Sequence, residues 1–167
     1  MTERTYEDLS DYALGAETER ALLAEQTECT FIWSSKDGWP LGVIMSFVHD
    51  RDRFWLTASS HRGRVPAVRR DPRVTIVVTS TGTSLGHGKS VTYRGRCTVH
   101  EDAATKAWFF PALGVKRFPD DAAYREEFVR TLDSPLRVVL EVEPTERIAI
   151  DLVKMHPKAQ MYGGDAP

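Results

Sequence analysis

From position 91 to 99, Val91, Tyr93, Gly95, Cys97 and Val99 alternate with Thr92, Arg94, Arg96 and Thr98. A period of two gives one apolar and one polar face, the signature of a half-buried strand, and a helix would scatter it. Similar segments are closely spaced along the chain. Residues 29–35 read as a strand, and Lys36-Asp37-Gly38 as a turn with glycine placed for positive φ. Residues 40–48 form a longer strand whose two faces are both largely apolar, which predicts burial on both sides. A polar turn at 49–52 leads into strands at 53–58 and 73–80, and the alternating strand 91–100 follows. Two more strands, 136–142 and 147–153, are expected on either side of Pro144. Short antiparallel strands at this spacing favour a barrel.

Helical patterns occupy the gaps. Residues 1–26 read as helical, with Leu9 and Ala13 on one face, a break at Gly15 and Thr18 capping a second segment. Residues 62–70 fit a short helix if Pro66 lies in its first turn. In an excursion over 101–133, a helix at 101–110 is followed by an aromatic-rich connector at 111–119. An amphipathic helix at 120–132 comes next, with Tyr124, Phe128 and Leu132 on one stripe. Trp108, Phe109, Phe110 and Phe118 concentrate here; packing over the sheet, walling a flat ring and meeting a second subunit are all open uses. The tail from Met155 lacks pattern and holds Gly163-Gly164, which predicts a loosely held end. With 167 residues and no linker, 1–167 reads as one domain.

A net charge of −2 argues against a nucleic-acid partner. No apolar run approaches the ~20 residues of a membrane helix, so no membrane partner is expected. The acidic start M-T-E-R-T-Y-E-D-L lacks a signal-peptide core, and Cys29 and Cys97 form no C-x-x-C pair. Together these predict reduced thiols and a cytoplasmic protein. The five histidines lack zinc-motif spacing, so no metal site is expected. The run from Gly82 to Ser90 mimics a phosphate loop, but Thr83 stands where glycine is needed and the run leads into a strand, so it reads as a hairpin connection. No G-x-S-x-G elbow occurs, and Asp120-Asp121 and Glu126-Glu127 read as helix-start and surface charges. No catalytic residue set emerges, which leaves the chemistry of any enzyme here to a cofactor.

The segment R-F-W-L-T-A-S-S-H-R-G-R-V-P-A-V-R-R-D-P-R-V from Arg53 to Val74 carries the strongest ligand signal. Ser59, Ser60, Arg62 and Arg64 gather where a strand hands over to a helical turn. Hydroxyls, backbone N–H groups and guanidinium forks suit a phosphate. A solvated basic turn is the competing reading.

That segment, the Gly38-Trp39-Pro40 turn with its strand to Phe47, and the D-P-R-V strand start at Asp71 together resemble the pyridoxamine 5′-phosphate oxidase-like split barrels, over roughly residues 18–153. The resemblance implies a mainly β, α+β fold: a six- to seven-stranded antiparallel split β-barrel of Greek-key type with peripheral helices. It implies a homodimer with FMN in the groove between barrels, and hydride transfer to or from a small-molecule substrate. The family holds the FMN phosphate on a serine-arginine-lysine run, which here reads Arg62-Gly63-Arg64, followed by Val65. Arg64 takes the lysine position, whereas Gly63 stands where arginine is usual, a departure that also suits a decayed site. By the same resemblance Thr57 and Ala58 meet the ring or ribityl chain, Ser59 and Ser60 make polar contacts, and Val43 and Ile44 back the ring. Ser80, Thr81 and Lys89 are further candidates. A deazaflavin, coenzyme F-420, is the alternative cofactor, its acidic tail suiting Arg69, Arg70 and Lys89. A non-catalytic flavin or haem binder is the other reading, with His61 as the first axial-ligand candidate. The family's C-terminal residues for the substrate phosphate are missing, which argues against vitamin B6 oxidation.

Overall fold

Strands form wherever apolar residues recur at every second position. In a computed structural model, which describes residues 9–155, they are β1 (Glu28–Ser34), β2 (Pro40–Ser46), β3 (Val48–Asp50), β4 (Arg53–Ser59), β5 (Arg73–Thr79), β6 (Lys89–His100) and β7 (Arg137–Asp151). They lie in one sheet in the order β2-β1-β5-β6-β7-β4-β3. The helices are α1 (Ala16–Glu25), α2 (Arg64–Arg70), α3 (Ala103–Arg117), α4 (Ala122–Leu132) and α5 (Leu152–Met155), with a 3-10 turn at Leu9–Tyr12. The fold is mainly β with peripheral helices and belongs to the split-barrel class. The expected helical start over residues 1–8, the side chain of Leu9 and the tail from 156 onward lie outside the described residues.

β1 and β2 pair antiparallel from Glu28↔Ser46 to Ser34↔Pro40, around a turn in which Gly38 takes φ +82°. β3 and β4 pair through a tight turn with Arg51 and Asp52 both left-handed, at φ 52° and 58°. Two left-handed central residues suit the right-handed twist of the flanking strands. The turn expected at 49–52 therefore shrinks to Arg51-Asp52, while His49 and Asp50 are extended. β4 pairs antiparallel with β7 from Phe54↔Val142 to Ser59↔Arg137. Phe54, Leu56, Ala58, Val138, Leu140 and Val142 fill one face of this ladder and are buried. The other face carries Trp55, Thr57 and Ser59 opposite Glu141, Val139 and Arg137.

Several expectations are corrected. β2 is not buried on both sides: Leu41 is 44% and Ile44 64% exposed, because β2 ends the strand order and pairs only with β1. The strands expected around Pro144 are one, β7. Pro144 lies two residues past Val142, the last residue of the β4 ladder, so its missing N–H costs that ladder nothing. The connector expected at 111–119 is largely helix, since α3 runs through Pro111 to Arg117. The carbonyl without an N–H partner belongs to exposed Ala107, and burial of Phe109, Phe110, Leu113 and Gly114 holds the helix on course. α1 is capped at Gly15, whose extended backbone starts the helix and whose carbonyl accepts from the Glu19 N–H at 2.9 Å; Thr18 lies inside it. α2 starts at Arg64, two residues later than expected, with Pro66 in its first turn.

Asp102 caps α3 by accepting from the Thr105 N–H at 2.7 Å, and Asp121 caps α4 by accepting from the Tyr124 N–H at 2.9 Å. Asp71, just after α2, accepts from the backbone and guanidinium of Arg73, which holds its pKa down at about 2. Those bonds give the D-P-R-V block a local structural purpose, fixing the start of β5.

The described residues within Met1–Gln26, Val77–Thr92 and Arg147–Pro167 form one compact unit, and those within Thr27–Ile76 and Tyr93–Glu146 another. In the first, Arg147 pairs with Glu19 at 2.6 Å, Lys154 donates to the Ala13 carbonyl, and Ser84 bonds Glu25. In the second, a cluster of Val48, Trp55, Phe109, Phe110, Leu113, Leu132 and Val139 joins α3 and α4 to the outer face of the β4–β7 ladder.

Gly95 on β6 is required by close approach. A Cβ there would stand 2.5 Å from the Glu143 carbonyl oxygen and 2.9 Å from a Val142 methyl carbon. Gly95→Ala is expected to destabilise the fold by ~1–3 kcal/mol, read as a lower urea midpoint. Lys116 lies with its ammonium 4.0 Å over the Phe47 ring, and burial pulls its pKa from 10.5 down to about 8. The unfolded chain then holds more protons than the folded one between pH 8 and 10.5, so this residue's contribution to stability rises with pH across that window. Denaturation of wild type and Lys116→Met at pH 7.5 and 10 is expected to show the difference shifting toward wild type at the higher pH. The buried thiol Cys97 titrates in both proteins and cancels, while Cys29, whose thiol feels the Lys116 charge, is replaced by alanine in both.

Candidate functional site

The end of β4 and the start of β7 are held in register by their ladder, which sets Ser59 opposite Arg137. One residue on, the Ser60 N–H donates to the Leu136 carbonyl at 2.7 Å. The chain then turns tightly: the Arg62 N–H donates to the Ser59 carbonyl at 2.9 Å, and the Val65 N–H to the Arg62 carbonyl at 2.8 Å. These backbone bonds bring Arg62, Arg64 and Arg137 around one corner of the second unit.

The corner is electrostatically unsatisfied. The Nε atoms of both Arg64 and Arg137 are buried without a hydrogen-bond partner. Burial lowers the pKa of Arg64, and the charges of Arg62 and Arg137 lower it further. Arg137 is lowered by burial and by Arg62. A buried donor without an acceptor costs on the order of 1–3 kcal/mol, and more when charged. An anion placed among these guanidiniums would offset the repulsion.

Beside the corner is a cavity of about 240 Å³ lined by Ile44, Met45, Ser46, Thr57, Arg64, Leu113, Phe128 and Leu132. It brings Ile44, Thr57 and Arg64 together from three separate elements. The Thr57 hydroxyl donates to the Val138 carbonyl at 2.8 Å, so its proton is engaged and its oxygen lone pairs remain as acceptors. Ser59 and Ser60 are half-buried at the turn, and Arg62 is exposed. Val43 is absent from the cavity lining. Ala58 and Val65 are buried in the core at 1% and 0% exposure, so only the backbone of Ala58 is available at that edge of β4.

Ser80, Thr81 and Lys89 belong to the first unit, where they hold the β5–β6 connection together. Buried Ser80 accepts the Lys89 N–H on its hydroxyl, the Thr81 carbonyl accepts from Gln26, and the Lys89 ammonium donates to the Leu85 carbonyl at 2.9 Å. His61 is exposed. Burial pushes the thiols of Cys29 and Cys97 up to about 12, which keeps them protonated at neutral pH. Among the described residues no cluster of three or more His, Cys, Asp or Glu could hold a metal ion, and no helix is long and apolar enough to cross a membrane.

Arg137 was not among the residues expected at the site. Its segment reads as a strand, but the register that sets it opposite Ser59 is a long-range property no local pattern reveals. Phe128 and Leu132 were visible on the amphipathic stripe, whereas Leu113 fell in the expected connector; all three line the cavity.

A crystal structure of a conserved hypothetical protein of Mycobacterium tuberculosis matches with 16% identity over 87% of this chain and 90% of its own, at a TM-score of 0.75. A protein described as an F420 reductase matches with 19% identity over 77% of this chain and 94% of its own, at 0.60. The heme storage protein HutZ of Vibrio cholerae matches with 11% identity over 81% and 94%, at 0.59. At these identities the likeness is one of fold. No curated protein sequence matches. The sequence model of one family, described as pyridoxamine 5′-phosphate oxidase, matches residues 16–151, nearly the whole of the described chain. The chain belongs to the pyridoxamine 5′-phosphate oxidase family.

Proposed function

We propose that this protein is a flavin-dependent oxidoreductase that holds FMN by its phosphate at the Arg62–Arg64 turn and acts on a small organic substrate. The observation that carries this reading is the buried, unpartnered Nε of Arg64 beside a cavity lined by Thr57 and Ile44. A phosphorylated flavin fits that donor set. Bound FMN would supply the hydride chemistry, for which the described residues offer no substitute. The chain's own part is to fix the phosphate, to set the Thr57 oxygen and the Ala58 backbone against the polar part of the cofactor, and to exclude water with Leu113, Phe128 and Leu132. The deazaflavin F-420 is the competing cofactor, supported by the likeness to an F420 reductase. Nothing about the exposed His61 favours haem.

We read the working form as a homodimer. At about 240 Å³ the cavity falls below the ~300–1,000 Å³ typical of sites that enclose a drug-sized ligand, so one chain walls only part of a flavin. Ile44 on edge strand β2 is 64% exposed and lines the cavity, an apolar side chain suited to meeting a second copy. The two buried free thiols suit a reducing, cytoplasmic setting.

Fluorescence titrations with FMN and with F-420 test the reading. One cofactor is expected to bind tightly, and Arg64→Ala to weaken it by ~1.5–3 kcal/mol, the scale of a charge-assisted hydrogen bond. Absence of binding by either would overturn the flavoenzyme reading. Sedimentation velocity is expected to show a dimer that Ile44→Asp shifts toward monomer; a monomeric wild type that still binds FMN tightly would remove the dimer from the argument.

A further inference from the structure

The corner between β4, the Ser60–Gly63 turn and β7 is built around a residue that is remote in sequence from the turn. Arg137 stands opposite Ser59 in the ladder, and the Ser60 N–H to Leu136 carbonyl bond ties the adjacent residues. Within the turn Arg62 and Arg64 carry the permanent charge, and Gly63 brings no side chain. Arg62 is exposed, whereas Arg64 and Arg137 are half-buried with their Nε atoms out of reach of water and of any acceptor. None of the three forms an ion pair with a carboxylate among the described residues, although the chain carries 24 Asp and Glu against 22 Lys and Arg.

We propose that Arg137 is the second arm of a phosphate clamp, closing from the start of β7 on the same anion that Arg62 and Arg64 meet from the turn, and that the clamp is suited to a terminal phosphate monoester. The inference rests on the flavin reading for the identity of the phosphate's carrier, but not for the clamp itself. Two forks approaching from separate elements engage different oxygens of one phosphate, which a single loop residue cannot do. Three positive charges match the dianion of a terminal monoester better than the single charge of a diester inside a longer cofactor. The lowering of the Arg64 and Arg137 pKa values, led by burial and deepened by neighbouring guanidiniums, agrees with a site whose compensating charge is a ligand.

A purely structural arginine at this place makes a different prediction. Truncating it would lower stability without ligand and would affect FMN and riboflavin alike. Truncating an arm of an anion clamp removes a repelled charge, so the ligand-free fold stays at least as stable, and only the phosphate-bearing ligand is lost.

The test is a set of fluorescence titrations with FMN and with riboflavin on the full chain, as wild type, Arg137→Ala and Arg137→Lys. Thermal unfolding in inorganic phosphate is measured alongside, against chloride at equal ionic strength. Wild type is expected to prefer FMN. Arg137→Ala should lose about tenfold or more of the FMN affinity, about 1.4 kcal/mol, and leave riboflavin unchanged. Arg137→Lys, which keeps charge and bulk but not the fork, should fall between the two, and it decides the matter should Arg137→Ala not fold. An unchanged preference for FMN over riboflavin in the variants overturns the clamp and leaves the flavin reading standing. If wild type binds neither flavin, that reading fails and the phosphate arm decides. Stabilisation of wild type by phosphate over chloride, lost in the variants, supports the clamp; no such stabilisation overturns it.

Discussion

The antiparallel ladder between β4 and β7 is the constraint on which the candidate site and the second unit's core both depend. Its register buries Phe54, Leu56 and Ala58 with Val142, Leu140 and Val138 on one face. The same register turns Trp55, Thr57 and Ser59, with Glu141, Val139 and Arg137, to the other. A slip of one residue would exchange the two sets, driving Thr57, Ser59 and Arg137 into the apolar core. The penalty for burying those polar groups unpaired is several kcal/mol, so core packing itself fixes where Arg137 meets the turn.

The second face of the ladder is apolar in its middle and charged at its ends, and that grading decides what covers it. Trp55 and Val139 take the packing of Phe109, Phe110 and Leu113 from α3 and of Leu132 from α4. Trp108 meets Trp55 edge-on at 4.8 Å, and Phe118 meets Phe128 edge-on at 5.2 Å, geometries that aromatic quadrupoles favour. At Gly114 a Cβ would meet a Val129 methyl carbon at 3.5 Å, an ordinary contact, so the packing of α3 on α4 does not demand glycine there. The excursion is thus part of the core over Trp55 and a cavity wall over Thr57, where Leu113, Phe128 and Leu132 line the open space.

Local chemistry made much of the fold legible. Period-two patterning located the strands, Gly38 its turn, and the acidic residues before α4 its cap. The sequence misled where a local signal was outweighed by packing or depended on context. Pro111 and Pro144 looked like breaks, yet one lies on the exposed side of a helix anchored by Phe109, Phe110 and Leu113, and the other lies beyond a ladder it does not interrupt. The apolar faces of β2 looked like double burial because composition cannot distinguish a central strand from an edge strand awaiting a partner. At the site, Arg62 and Arg64 were visible from clustering in sequence. Arg137, 73 residues beyond Arg64, becomes visible only through strand register.

The two ends of that face treat their arginines differently. At the far end Arg53 pairs with Glu141 at 3.0 Å and Glu143 at 3.1 Å, and His100 bonds Glu141 at 2.6 Å. Charges there are neutralised by partners two strand positions apart, which lets them sit beside Trp55 without a buried orphan. Six residues along β4, at Ser59, the same ladder presents Arg137 with no carboxylate opposite, and the turn adds two more guanidiniums. One acidic residue in place of Ser59 would have relieved that corner by the same cross-strand pairing. With a serine there instead, the positive charge has no carboxylate opposite it, and in the proposed clamp the hydroxyl would add one more hydrogen-bonding group. Energetically, the corner is poorly satisfied by the protein alone, and an anion held in the proposed clamp would be coupled to the stability of the β4–β7 junction itself.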